Sequence, residues 1–124
     1  MPLLLWSFDF AEIADLQAAG NWSRLSTLLI DAARRLEQAG AEALVICSNT
    51  MHKLAPHVAG AVEVPLLHLA DATAMAIKRT ASRRPLLLAT RYTMEQDFYK
   101  GRLACNHGIT PMVPDGPAAR WCIG

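Results

Sequence analysis

The chain has 124 residues, 52% of them hydrophobic and 19% charged, which suits one domain with a packed core and excludes wholesale disorder. Lys and Arg number 12 against 11 Asp and Glu, a balance that gives no signal for nucleic acid or for a membrane surface. Cys47, Cys105 and Cys122 share no metal-ligand spacing, and their odd number argues against a secreted disulfide framework.

The N-terminus has no basic region and only a short apolar run, from Leu3 to Phe8. It does not resemble a signal peptide, and no stretch is long enough for a transmembrane helix. A cytoplasmic protein is expected. The Leu3 to Phe8 run has the pattern of a strand buried on both faces. Asp9 to Ala19 is ambiguous, and Gly20-Asn21 breaks the chain. From Ser23 the period turns helical: Leu25, Leu28, Leu29, Ala32, Ala33 and Leu36 form an apolar stripe, with Arg24, Asp31, Arg34, Arg35 and Gln38 on the other face. Ser23 is the expected N-cap and Gly40 the C-cap glycine.

Ala43 to Cys47 reads as a second buried strand, followed at once by Ser48-Asn49-Thr50 and a helical segment from Met51. Pro56 removes an amide donor, so two short helical pieces or a kink are expected there. Val64 to Leu69 is a third strand, and Asp71 is placed to cap an alanine-rich helix ending in Lys78-Arg79. Pro85 to Ala89 is a fourth strand. Thr93 and Gln96 have capping-box spacing for the next helix. Pro111 to Val113 begins a fifth strand. Strand and helix alternate, which predicts an α/β fold: a parallel sheet with helices on both faces. Ligands of such sheets bind beyond the carboxyl ends of the strands. That places Ser48-Asn49-Thr50 and Thr90-Arg91-Tyr92-Thr93 in one crevice.

Two readings stand beside each candidate. The amides and polar side chains of Ser48-Asn49-Thr50 suit an anion such as a carboxylate, while Asn49 or Thr50 could equally cap the next helix. Cys47 is either a thiol activated near a helix start or a small buried hydrophobe. Thr93 alone reads as a cap. His52, His57 and His68 lack metal spacing and suit solvated or hydrogen-bonded structural roles. No metal site, Gly-rich phosphate loop or Schiff-base lysine is found.

Three ordered segments carry a resemblance to a family. Ala39-Gly40-Ala41-Glu42-Ala43-Leu44-Val45-Ile46-Cys47-Ser48-Asn49-Thr50-Met51-His52 resembles the aspartate/glutamate racemase signature, where a strand leads to Cys-Asn-Thr-x-His. Pro65 to Thr73 resembles the next strand and helix start. Leu88-Ala89-Thr90-Arg91-Tyr92-Thr93-Met94-Glu95-Gln96-Asp97-Phe98-Tyr99 resembles the family's GTRxTMEQDFY segment and is the most specific match. Met94 to Asp97 favours this branch over the hydantoin racemases and maleate isomerases that share its architecture.

The resemblance implies two flavodoxin-like lobes with the active site between them and an acid/base residue, usually cysteine, from each. One removes the α-proton of the amino acid and the other reprotonates the opposite face, without pyridoxal phosphate or metal. It further implies aspartate or glutamate as substrate, and a homodimer. Three departures stand out. The family's catalytic cysteine precedes Asn-Thr directly, and here that position is Ser48, with Cys47 one residue earlier. The resemblance therefore puts the catalytic role on Ser48, with Cys47 the lesser substitute, and substrate binding on Asn49, Thr50, Thr90 and Thr93. The family's opening strand with its Gly-Gly-Met loop is not seen, nor is the Gly-Cys-Thr-Glu motif of its second lobe. Residues 1–114 are thus expected to form a partial N-terminal racemase lobe, and 115–124 a tail unlike the family. A catalytically inactive fragment, or a binding or dimerization module, is the alternative reading.

Overall fold

The computed structural model describes residues 2–114. The expected tail at 115–124, with Cys122, lies outside the described residues. The chain divides into two compact units: residues 2–44 with 54–66, and residues 45–53 with 67–114.

In the first unit, α1 spans Phe10–Ala18 and α2 spans Trp22–Gln38. Asp9 caps α1, its carboxylate accepting from the Ala11 amide at 3.0 Å. This resolves the ambiguous stretch as helix. Asn21, rather than the expected Ser23, caps α2 by accepting from the Arg24 amide at 3.1 Å. Both residues are good cap formers, and the chain enters the helix two residues earlier. Leu25, Leu29, Ala32 and Ala33 are buried as the periodicity predicts. Ala39 is the C-cap of α2, and Gly40 follows at φ +92°, the left-handed conformation that favours glycine. α3 is Ala55–Ala59, with Pro56 in its first turn, where its missing amide costs little. A 3₁₀ turn at Thr50–Leu54 precedes it, so two short helical pieces form around Pro56 as expected. Glu37 of α2 accepts from the amides of Glu63 and Val64 at 2.7 and 3.1 Å. Arg34 donates to the Ala61 carbonyl at 3.3 Å.

In the second unit, α4 spans Leu69–Lys78, α5 Arg91–Glu95 and α6 Asp97–His107. Ala70 and Ala74 of α4, Tyr99 and Leu103 of α6, and Ile109 form one buried cluster, with Ile77, Leu87 and Phe98 packed against it. Asp71 does not cap α4. The cap is His68, and Asp71 in the first turn takes partners on α6 instead. Arg102 grips Asp71 with two parallel bonds, Nε to Oδ1 at 2.8 Å and Nη2 to Oδ2 at 2.7 Å, and His107 Nε2 meets Oδ1 at 2.8 Å. The Arg102 guanidinium holds the Asp71 carboxyl well below the usual carboxylate range. A bidentate pair of this kind is stronger than a loose surface pair, although both side chains are about a third exposed. Asp71→Asn is expected to cost about 1–2 kcal/mol in chemical denaturation. A loss below a few tenths would mean the network contributes nothing.

The sheet is the main departure from the sequence expectation. Among the described residues, parallel pairing is confined to two isolated bridges, Leu44 with Leu66 and Leu86 with Met112. The direction agrees with an α/β arrangement, but no extended ladder forms, and the Leu3 to Phe8 segment joins none. Pro65 and Pro85 open two of the segments and have no amide to donate. Their carbonyls do accept, from Leu44 at 2.9 Å and from Met112 at 2.8 Å. Nor are the apolar runs covered on both faces. Leu87 packs inward against the α4–α6 cluster, whereas Leu86 and Leu88 are exposed. Side chains alternate along an extended segment, and the helices that cover Leu87 lie on one side only.

Candidate active site

The candidate site residues Cys47, Ser48, Asn49, Thr50, Thr90 and Thr93 all fall within the second unit. Two junctions where an extended segment gives way to a helical one meet there. Thr50 opens the 3₁₀ turn and Thr90 precedes α5. Their hydroxyl oxygens lie 2.9 Å apart, and Thr90 Oγ1 is also 3.2 Å from Thr93 Oγ1. Three hydroxyls from segments 40 residues apart in sequence thus form one hydrogen-bonded chain. Thr90 and Asn49 are exposed, Ser48 is half-buried, and Thr50 and Thr93 are enclosed. Thr93 does not cap the next helix as its spacing with Gln96 predicts. It lies inside α5, and α6 begins after Gln96 without a side-chain cap. The capping-box pattern fails because the preceding helical turn claims Thr93 for its own interior.

Ser48 Oγ accepts from the Met51 amide at 3.4 Å, a long bond at the start of the 3₁₀ turn. The neighbouring Cys47 contradicts its expected burial: it is exposed, as is Val45 two residues earlier on the same side of the chain. The sequence pattern presumes cover on both faces of this segment, and Val45 and Cys47 occupy the uncovered one.

Two histidines behind these junctions were expected to take solvated or hydrogen-bonded structural roles. His52 is 1% exposed. Its Nδ1 lies 2.7 Å from the Ser48 carbonyl, and its Nε2 lies 3.2 Å from the amide nitrogen of Leu69. The amide can only donate, so Nε2 accepts and the proton sits on Nδ1. His68 stacks edge-on against His52, ring centroids 4.4 Å apart. Its Nδ1 accepts from the Ala70 amide at 3.1 Å. Both imidazoles therefore receive a bond from the first turn of α4. Burial is the main cause holding both below the ordinary histidine value, His68 at about 4, with Arg102 adding to it in each case. Among the described residues, no cluster of three or more His, Cys, Asp or Glu side chains is arranged to hold a metal ion. No helix among them is long and apolar enough to cross a membrane.

Residues 3–121 match the Asp/Glu/Hydantoin racemase family. The chain is also similar to a candidate Asp/Glu racemase from Yersinia pestis, with 50% identity and a TM-score of 0.86 over 94% of its own length. It is similar to an aspartate racemase homologue from Pyrococcus horikoshii, with 34% identity and a TM-score of 0.81 over 95%. It spans 51% of each of those two chains. Those neighbours have an α/β fold, in keeping with the parallel bridges described above. Matched by the family over nearly its whole length and by these two solved structures, the chain belongs to the Asp/Glu/Hydantoin racemase family.

Proposed function

We propose that this chain supplies one face of a cofactor-independent racemase site for aspartate or glutamate. Ser48 occupies the acid/base position on that face, and Asn49 and Thr90 contact the substrate. Thr50 and Thr93, being enclosed, act from behind by fixing the Thr90 hydroxyl. The observation that carries the reading is the 2.9 Å contact between Thr50 and Thr90, which gathers the two polar junctions onto one spot. Racemization develops negative charge on the substrate's carboxylate and α-carbon as the proton leaves. Prearranged hydroxyl and amide donors stabilise that charge without having to reorganise. A serine hydroxyl is a weak acid and a weaker base, so Ser48 works only when coupled to the bound amino acid or to another group. Cys47 is the lesser alternative, since a one-residue shift turns its side chain to the other side.

The test is a nuclear magnetic resonance titration of the 124-residue chain with L- and D-aspartate and L- and D-glutamate. Saturable shifts are expected at the amides of Ser48, Asn49, Thr50 and Thr90. Shifts scattered over the surface, or confined to other segments, would remove the site. Thr90→Val should weaken binding roughly tenfold, because it leaves an isosteric group with no hydroxyl at the centre of the chain.

A further inference from the structure

We infer that His52 is a positioning residue for position 48: as the Nδ1–H tautomer it clamps the Ser48 carbonyl and the Leu69 amide at once, and so fixes where the Ser48 side chain points. The inference rests on the reading of Ser48 as the acid/base position.

The geometry allows His52 no other part. Its Nδ1–H donates to the Ser48 carbonyl at 2.7 Å, and its Nε2 accepts from the Leu69 amide at 3.2 Å. Both ring nitrogens are committed, and at 1% exposure the ring has almost no contact with solvent. An imidazole in this state is neither a general acid nor a general base. It is a rigid spacer with a donor at one end and an acceptor at the other. The donor end is the shorter bond and grips the peptide that leaves residue 48. That peptide's orientation sets the backbone torsions at 48 and, through them, the direction of the side chain. The acceptor end is tied to the first turn of α4, which is anchored in the core through Ala70 and Ala74. His68 packs edge-on at 4.4 Å and is itself held by the Ala70 amide, so the His52 ring has a fixed neighbour on its flank. The 48–50 turn is thus referenced to the core rather than left to the torsional freedom of a loop.

The experiment installs a thiol at position 48. In the full chain, Ser48→Cys is combined with Cys47→Ala, Cys105→Ala and Cys122→Ala, and the thiol is titrated by its ultraviolet absorbance. A thiol held at the start of a helical turn titrates about one unit or more below the free value of about 8.5. His52→Asn keeps a donor where Nδ1 stands, whereas His52→Gln and His52→Ala lose it. The depressed value is expected to survive in the Asn variant and to return to within about half a unit of 8.5 in the other two. A depressed value indifferent to all three substitutions would overturn the inference and leave the reading of Ser48 standing. An ordinary value with His52 intact would overturn the reading of position 48, and the inference with it. Should the Gln and Ala variants fail to fold, ¹⁵N spectra of the unsubstituted chain still decide. A proton on Nε2 of His52 would contradict the clamp, and a proton on Nδ1, with a Ser48 carbonyl carbon shifted as a strong acceptor, would support it.

Discussion

A polypeptide of these 124 residues is expected not to interconvert L- and D-aspartate or L- and D-glutamate at a useful rate. Racemization requires one group to take the α-proton and another to return a proton to the opposite side of the carbon. The proposed site presents one such group, Ser48. His52, the titratable side chain bonded to its carbonyl, has both nitrogens occupied. Cys47 follows the exposed face of its segment, a different side from Ser48. A positioned acid or base typically contributes about 10²–10⁴-fold, so one face alone loses at least that factor. A hydroxyl in place of the family's thiol adds to the deficit, because it is the poorer proton donor at neutral pH. The measurement is α-proton exchange in deuterated water with all four amino acids, against a Ser48→Ala control. Exchange well above that control would show a second group already in place and overturn the expectation.

The meeting of the two polar junctions was legible in the sequence because a general rule of α/β folds was enough to bring them together. Ser48 to Thr50 and Thr90 to Thr93 both follow apolar extended runs, and such junctions converge at one end of a parallel arrangement. The α2 stripe was legible for a different reason: its period depends only on neighbours three and four residues away. What escaped was non-local or rested on an uncommon chemical choice. Asp71 looked like a cap because aspartate is a usual acceptor at a helix start, yet its partners, Arg102 and His107, lie 31 and 36 residues away. The cap proved to be His68, a residue seldom used so. The pairing of His52 with Leu69 spans 17 residues and uses a ring nitrogen as acceptor. The Ser-Asn-Thr-x-His spacing hinted at a role for His52, without saying which backbone groups it holds. The burial of Cys47 was misjudged for a third reason. A run of apolar residues shows that an extended segment can be covered on both faces, not that it is.

Acidification from neutral pH is expected to destabilise the second unit steeply, through His68 above all. Its Nδ1 accepts from the Ala70 amide, so protonation both breaks that bond and sets a positive charge at the positive end of α4. Burial, the nearby His52 and Arg102 all oppose the charged form, while Asp71 partly offsets them. The folded-state value is about 4 against an ordinary histidine value of about 6.5. The unfolded chain therefore binds more protons between these limits, and stability rises with pH across the window. Read downwards, stability starts to fall near pH 6.5 and the loss is complete below about pH 4. For His68 alone the loss amounts to roughly 3 kcal/mol, a large part of the total for a small domain. His52 is lowered for the same leading reason, burial, and acts in the same direction. Asp71 does not titrate in this window, because Arg102 keeps its carboxyl ionised well below it. Denaturant unfolding at several pH values between about 7.5 and 4.5 measures the slope. His68→Asn supplies an uncharged acceptor for the Ala70 amide and leaves Asp71, Arg102 and His107 unchanged. The variant should match the parent's stability near neutrality within about 1 kcal/mol and lose most of the acid slope. Equal slopes in the two proteins would show that His68 titrates as an ordinary histidine and is not held neutral by its site.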